Sequence, residues 1–216
     1  MTMINEIEAR VVGSLVEKQL TTPEYYPLTL NALTAACNQK SNRDPVMSLS
    51  DTDVLAAIDS LRDKNLVYTF HGSTSRTVKY KHMLPNVYEL EPPSTAVMTL
   101  LLLRGPQTAG EIRGRAERLY EFSSISEVQE TLDDLSRKAE PLVVKLERQP
   151  GQKEARYAHL LSGPVDTAAV AESYSKPQVA GGGNERLDKL ESEVERLSVE
   201  LDELKQKFQE FSQQFE

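Results

Sequence analysis

The sequence predicts a mainly α-helical chain with small β wings: tandem winged helix-turn-helix domains followed by a C-terminal coiled-coil helix. Three observations carry that expectation. One capped amphipathic helix occurs twice, 74 positions apart. Each copy follows two other helical stretches and precedes two β-prone runs. The end of the chain repeats apolar residues at alternating spacings of three and four.

The duplicated helix runs first from Ser50 to Lys64, SDTDVLAAIDSLRDK. Ser50 caps the first turn and Asp53 reaches back in a capping box. Val54, Ile58 and Leu61 share one buried stripe at helical spacing. In the second copy Ser124 and Glu127 form the box, and Val128, Leu132 and Leu135 form the stripe. Asp59 matches Asp133 and Lys64 matches Lys138 at the same offset. A shared cap, stripe and charge pattern reads as internal duplication.

The other elements follow in order. Residues 4–20 form a first helix, with Ile7, Val11, Leu15 and Val16 inward and Glu8, Arg10, Glu17 and Lys18 mostly outward. TTPEYYP, Thr21 to Pro27, is extended or turning because two prolines forbid regular helix there. Thr29 caps a second helix that faces Leu30, Leu33 and Cys37 inward. NQKSNRDP is a polar turn leading to Ser50. Leu66 to His71 and Val78 to His82 then flank GSTSRT as a hairpin. The first domain covers residues 1–91. The second, residues 92–162, repeats the order: an apolar helix from Thr95 to Leu103, a box of Thr108 and Glu111 opening the next helix, the helix from Ser124, and a second wing from Leu142 to Leu146 and Arg156 to Leu161.

Residues 163–184 form a Gly/Pro-punctuated flexible linker. Residues 185–216 form the coiled coil, whose seam is Leu187, Leu190, Val194, Leu197, Leu201, Leu204, Phe208, Phe211 and Phe215. So exposed an apolar stripe needs a partner, which predicts homo-oligomerisation. The flanking charges suit parallel and antiparallel pairing alike.

The 216 residues carry a net charge of -8, distributed unevenly. Residues 1–90 hold 9 basic and 10 acidic side chains, residues 91–162 hold 10 and 11, and residues 163–216 hold 6 and 12. The two domains are therefore near neutral, and the global charge does not exclude a nucleic-acid partner. A single cysteine, Cys37, forbids an internal disulfide. The N-terminus lacks a secretory apolar core, and the run Val97 to Leu103 is far short of a membrane span. A cytoplasmic protein without membrane contact is expected.

Three strings resemble a known family: TTPEYYPLTLNALTAACNQKSNRDPV (Thr21 to Val46), LLLRGPQTAGEIRGR (Leu101 to Arg115) and LERQPGQKEARYAHLLSG (Leu146 to Gly163). Together they are similar to the YceH family of uncharacterised bacterial tandem winged-helix proteins, over about residues 4–163. The resemblance implies tandem winged helices and a frequent C-terminal coiled coil. It implies no catalytic residue and no ligand.

Catalysis finds no constellation in the sequence. His71, His82 and His159 lie at wing strand ends without a Cys or carboxylate at metal spacing. Gly181 to Gly183 lacks the lysine of a phosphate loop, and Cys37 has the spacing of a small core residue. The expectation is a non-enzyme with no catalytic residues, no metal and no cofactor.

Duplex DNA is one candidate partner. A winged helix usually presents its third helix to the major groove, and that face should be basic or amide-rich. Here Asp59, Asp63, Asp133 and Asp134 would face phosphate repulsion. The basic residues collect elsewhere, and these are the candidate contacts: Arg76, Lys79 and Lys81 on the first wing, Arg113, Arg115 and Arg118 on the second domain's second helix, and Arg148, Lys153 and Arg156 on its wing. Ordinary solvated faces with salt bridges explain them equally well. The alternative is a protein adaptor, with Tyr25, Tyr26, Asn38, Gln39, Lys40, Asn42 and Arg43 as its surface. A self-satisfied turn and tyrosines packed on the first helix would account for that group without a partner.

Overall fold

The computed structural model describes residues 3–71, 77–148 and 154–165. Residues Met1–Thr167 form one compact unit. The second unit, Ala168–Glu216, contains the whole expected coiled-coil seam and lies outside the described residues. Among the described residues the chain is mixed α and β, with seven α-helices and two small antiparallel sheets.

The first half opens with α1 (Glu6–Thr21), capped by Asn5 in a box with Glu8 that the sequence reading did not anticipate. A 3-10 turn at Pro23–Tyr25 and a cis Tyr26–Pro27 bond replace helix through TTPEYYP. Next come β1 (Leu28–Thr29), α2 (Leu30–Cys37) under the Thr29 cap, and α3 (Asp51–Asp63) under the Ser50–Asp53 box. Strands β2 (Val67–His71) and β3 (Val78–His82) form the hairpin, and β1 adds to its β3 side, giving the order β1-β3-β2. A short helix, α4 (Leu84–Tyr88), had no counterpart in the sequence reading.

The second half repeats the series as α5 (Pro92–Arg104), α6 (Ala109–Ala116), α7 (Ile125–Arg137), β4 (Val143–Lys145) and β5 (Tyr157–His159). Helix α5 starts three residues before the expected Thr95, because prolines at its first two positions give up N–H groups that would be unpaired there anyway. An isolated bridge joins Gln107 to Tyr157, one residue before the Thr108 cap. Leu28, one residue before the Thr29 cap, pairs with Tyr80 in the same way. The duplication therefore reaches into the sheets.

Helices α3 and α7 have the same length and the same buried stripe. Val54, Ile58, Leu61, Val128, Leu132 and Leu135 are all 0% exposed. Each such side chain contributes about 1.5–3 kcal/mol relative to leaving it in water. The second cap differs from its expectation. Ser124 accepts from the Glu127 N–H, but the Glu127 carboxylate turns to the Ser123 N–H and hydroxyl instead of closing a box.

One hydrophobic cluster runs through both halves, and the expected boundary between residues 91 and 92 lies inside the compact unit. Helices α1 and α5 are its seam. Helix α1 is buried continuously from Glu8 to Val16, and α5 from Thr95 to Leu103. Gly13 permits the approach: a Cβ there would stand 2.9 Å from Leu103 Cγ and Cδ2. Glu8 and Arg10, expected to face outward, are each only 1% exposed, which corrects that face of α1.

The matched lysines do matched work. Lys64 ends α3 and donates to both Glu8 carboxylate oxygens, at 2.7 and 2.6 Å. Burial pushes the Glu8 carboxyl up, but the Lys64 ammonium and the Asn5 N–H outweigh it, and the net shift is downward. Lys138 ends α7 and donates to the Tyr88 and Glu89 carbonyls, just ahead of α5. In both halves a lysine ties the third helix to the start of the first.

Candidate nucleic-acid interface

Alternation along β2 and β3 decides what the first sheet shows to solvent. Val67, Tyr80 and His82 are buried on the core side. Tyr68, Phe70, Lys79 and Lys81 occupy the other face. The register pairs Tyr68 with Lys81 and Phe70 with Lys79, so each ring sits across from an ammonium-bearing chain. Tyr68 and Phe70 remain 44% and 42% exposed, large for aromatic side chains in the middle of a strand. The Tyr68 hydroxyl donates to Asn65 Oδ1 at 3.4 Å. Both lysines stand out in the sequence by their charge, and neither ring does. The signal was present, because LVYTFH alternates at period two once Val67 is placed in the core. Arg76 lies outside the described residues.

The second half offers a different surface. Its sheet turns Val144 and Ala158 to the corresponding face, while Lys145 lies over the Tyr157 ring at 5.9 Å. Arg156 is half-buried and engaged: it donates to both Glu111 oxygens and to the Pro106 carbonyl. Arg115 donates to Gln107 Oε1 at 2.7 Å and pairs with Glu111 at 3.7 Å. Burial raises the Glu111 carboxyl, but the Thr108 N–H and Arg156 reverse this and hold it low. These residues fasten the turn before α6 to β5. Arg113 is exposed and donates to the Ser123 carbonyl, while Arg118 and Arg148 are exposed. Lys153 lies outside the described residues.

The turn after α2 is held from below. The last carbonyls of a helix lack partners and favour cations. Arg10 donates to the Cys37 and Pro45 carbonyls at 3.1 and 2.5 Å. Arg43, 5% exposed, donates to the Ala36 and Asn42 carbonyls and makes a two-pronged pair with Glu17 at 3.1 and 2.6 Å. Asn38 exchanges two hydrogen bonds with the Leu49 backbone. Tyr26 accepts from the His82 N–H at 2.8 Å, and burial pushes its hydroxyl up to about 12. Tyr26, Asn38 and Arg43 thus brace the fold. Asn42 Oδ1 accepts from Arg104 at 2.9 Å, which leaves Tyr25, 71% exposed, with Gln39 and Lys40 for any partner surface. Cys37 is fully buried beneath this turn, and burial raises its thiol to about 11, which leaves it unreactive.

A cleft of about 330 Å3 lies between this turn and α6. Gln39 and Asn42 from the turn, Lys18 from α1, and Arg115 and Arg118 line it, with Glu17 and Glu117 among them. The fold thereby brings together members of two residue groups that the sequence kept separate.

The third helices are acidic where they face water. Asp59, Asp63, Glu130, Asp133 and Asp134 are exposed, and Arg62 and Arg137 are engaged by Asp59 and Asp133 at 3.3 and 3.5 Å. Two histidines end matched strands: His82 closes β3 and His159 closes β5, each two residues after a buried tyrosine. Burial lowers each imidazole to about 4. Among the described residues neither His82 ring nitrogen has a hydrogen-bond partner, nor does His159 Nδ1. Among the described residues no helix is long and apolar enough to cross a membrane.

The chain matches a family model described as "Protein of unknown function, DUF480" over residues 4–152. It is 53% identical over 219 residues to a UPF0502 protein of Geobacter metallireducens, covering 100% of this chain and 99% of that one. A UPF0502 protein of Geotalea uraniireducens is 49% identical over 217 residues, covering 99% and 98%. One of Vibrio atlanticus is 46% identical over 209 residues, covering 94% and 96%.

Proposed function

The chain belongs to the DUF480 / UPF0502 family of bacterial proteins, and we propose that it is a non-enzymatic, cytoplasmic tandem winged-helix module that binds DNA through its first wing. The likeness to the YceH family is part of this reading. One observation carries it: the aromatic and lysine face of the first sheet, Tyr68, Phe70, Lys79 and Lys81, stands open to solvent. Basic residues interleaved with exposed rings are the surface chemistry of nucleic-acid contact. The acidic third helices argue that the docking differs from the usual major-groove insertion. Arg113, Arg118 and Arg148 add exposed charge on the second half. Self-association through residues 185–216 would supply avidity to modest contacts.

The test is a titration of labelled DNA with full-length protein across a salt series. A binder weakens steeply with salt as counterions are released. Lys79→Ala with Lys81→Ala should flatten the log–log slope by about one to two, since each lost phosphate contact removes about 0.9. Absence of binding at low salt would refute the reading. The acidic outward faces of α3 and α7 favour a protein adaptor as the second reading, and that result would promote it. Truncation after Thr167 should yield a monomer by light scattering; an unchanged oligomer would remove the tail from the account.

A further inference from the structure

We infer that the outer face of the first sheet takes unpaired bases, so that the protein prefers single-stranded over duplex nucleic acid. The inference rests on the DNA-binding reading and names the substrate form. Tyr68 and Phe70 are alternate residues on β2, so their rings project from the same face about 6.7 Å apart along the strand. Two rings at that spacing accept two successive bases of an extended strand, one on each, as exposed aromatics on sheet faces do. Lys81 and Lys79, directly across on β3, place one positive charge beside each ring, where the backbone linking the stacked bases must run. Both lysines are half-buried residues, and the strand pairing sets the point at which each stem leaves the sheet beside its ring.

A B-form duplex matches this surface less well. Its bases are stacked on one another and reached only through the grooves, so the duplex would have to be deformed before its bases could meet both rings. Laid on a duplex, the face would meet phosphates with its lysines and leave both rings without a partner.

The experiment compares full-length protein binding to a fluorescent oligo-dT strand and to a duplex of equal length, by anisotropy at one low salt concentration. The expected result is single-strand binding at least about tenfold tighter. Tyr68→Ala and Phe70→Ala should each weaken it about ten- to a hundred-fold, the loss of one stacked base. Tyr68→Phe should keep the affinity, because the ring and not the hydroxyl makes the contact. Both ring positions are exposed, so melting temperatures should stay close to wild type, and a variant that melts early is replaced by Tyr68→Leu or Phe70→Leu. Duplex binding as tight as single-strand binding, or aromatic variants without effect, would overturn the stacking inference while leaving phosphate contact intact. Binding to neither probe would overturn the inference and the DNA reading together.

Discussion

Lowering the pH should destabilise this protein before its carboxylates begin to protonate, and the cause is His82 with its repeat partner His159. His82 is 7% exposed, packs its ring 5.9 Å from that of Tyr26, and is held near 4 instead of the ordinary 6.5 by burial alone. The unfolded chain protonates this imidazole through its ordinary range while the folded chain does not, so the unfolded state binds the extra proton between those limits. Stability is therefore fully present above 6.5 and is lost as pH falls toward 4. With one pH unit of separation equivalent to about 1.4 kcal/mol, His82 alone should cost about 2 kcal/mol near pH 5. His159 adds less than the same again, because its ring keeps some solvent area although Nδ1 is buried. Total stabilities are about 5–15 kcal/mol, so the combined loss is a large fraction. The groups held low, Glu8 and Glu111, act in a lower window, as pH falls below the ordinary carboxylate range. Urea midpoints measured from about pH 7.5 down to about pH 5 isolate the histidine term. His82→Leu should flatten most of that slope, and the double variant with His159→Leu should flatten nearly all of it. Equal slopes in wild type and double variant would refute the argument.

Four further substitutions probe the packing by urea denaturation. Gly13→Val should cost about 1–3 kcal/mol, because its Cβ meets Leu103 across the α1–α5 seam; no loss would mean that the halves are less tightly joined than described. Arg43→Met leaves Glu17 and the Ala36 carbonyl without their partner, and about 3–5 kcal/mol should be lost. A change under about 1 kcal/mol would place Arg43 in solvent. Lys64→Met should cost more than Lys138→Met, since the first strands a carboxylate that is 1% exposed and the second only frees two carbonyls; about 2–4 against about 1 kcal/mol is expected. The reverse order would contradict the assigned roles.

What the sequence made legible were the features written in local chemistry. Ser50, Thr29 and Thr108 announce helix starts because a hydroxyl before an apolar stripe has few other uses. The stripes of α3 and α7 were readable residue by residue. Burial set by partners distant in sequence was not readable. Glu8 and Arg10 look outward in the α1 pattern, yet Lys64 at the end of α3 and the Cys37 and Pro45 carbonyls meet them there. Arg43 sits in the string NQKSNRDP, which is as polar as any exposed turn, and nothing local reveals that Glu17 and two carbonyls wait for it. The third helix of each half was placed correctly, yet the residues open for contact came from a strand. Tyr68 and Phe70 do not stand out in the sequence because exposed and buried β positions differ only by parity, which the pairing with β3 resolves.

The central claim is that nucleic acid is met by the outer face of the first sheet and not by the third helices. Backbone amide shifts of labelled protein, followed during titration with an oligonucleotide, test it most directly. The largest changes should fall in Val67–His71 and Val78–His82. Changes concentrated on the outward residues of Asp51–Asp63 or Ile125–Arg137 would contradict it, as would a spectrum that does not move.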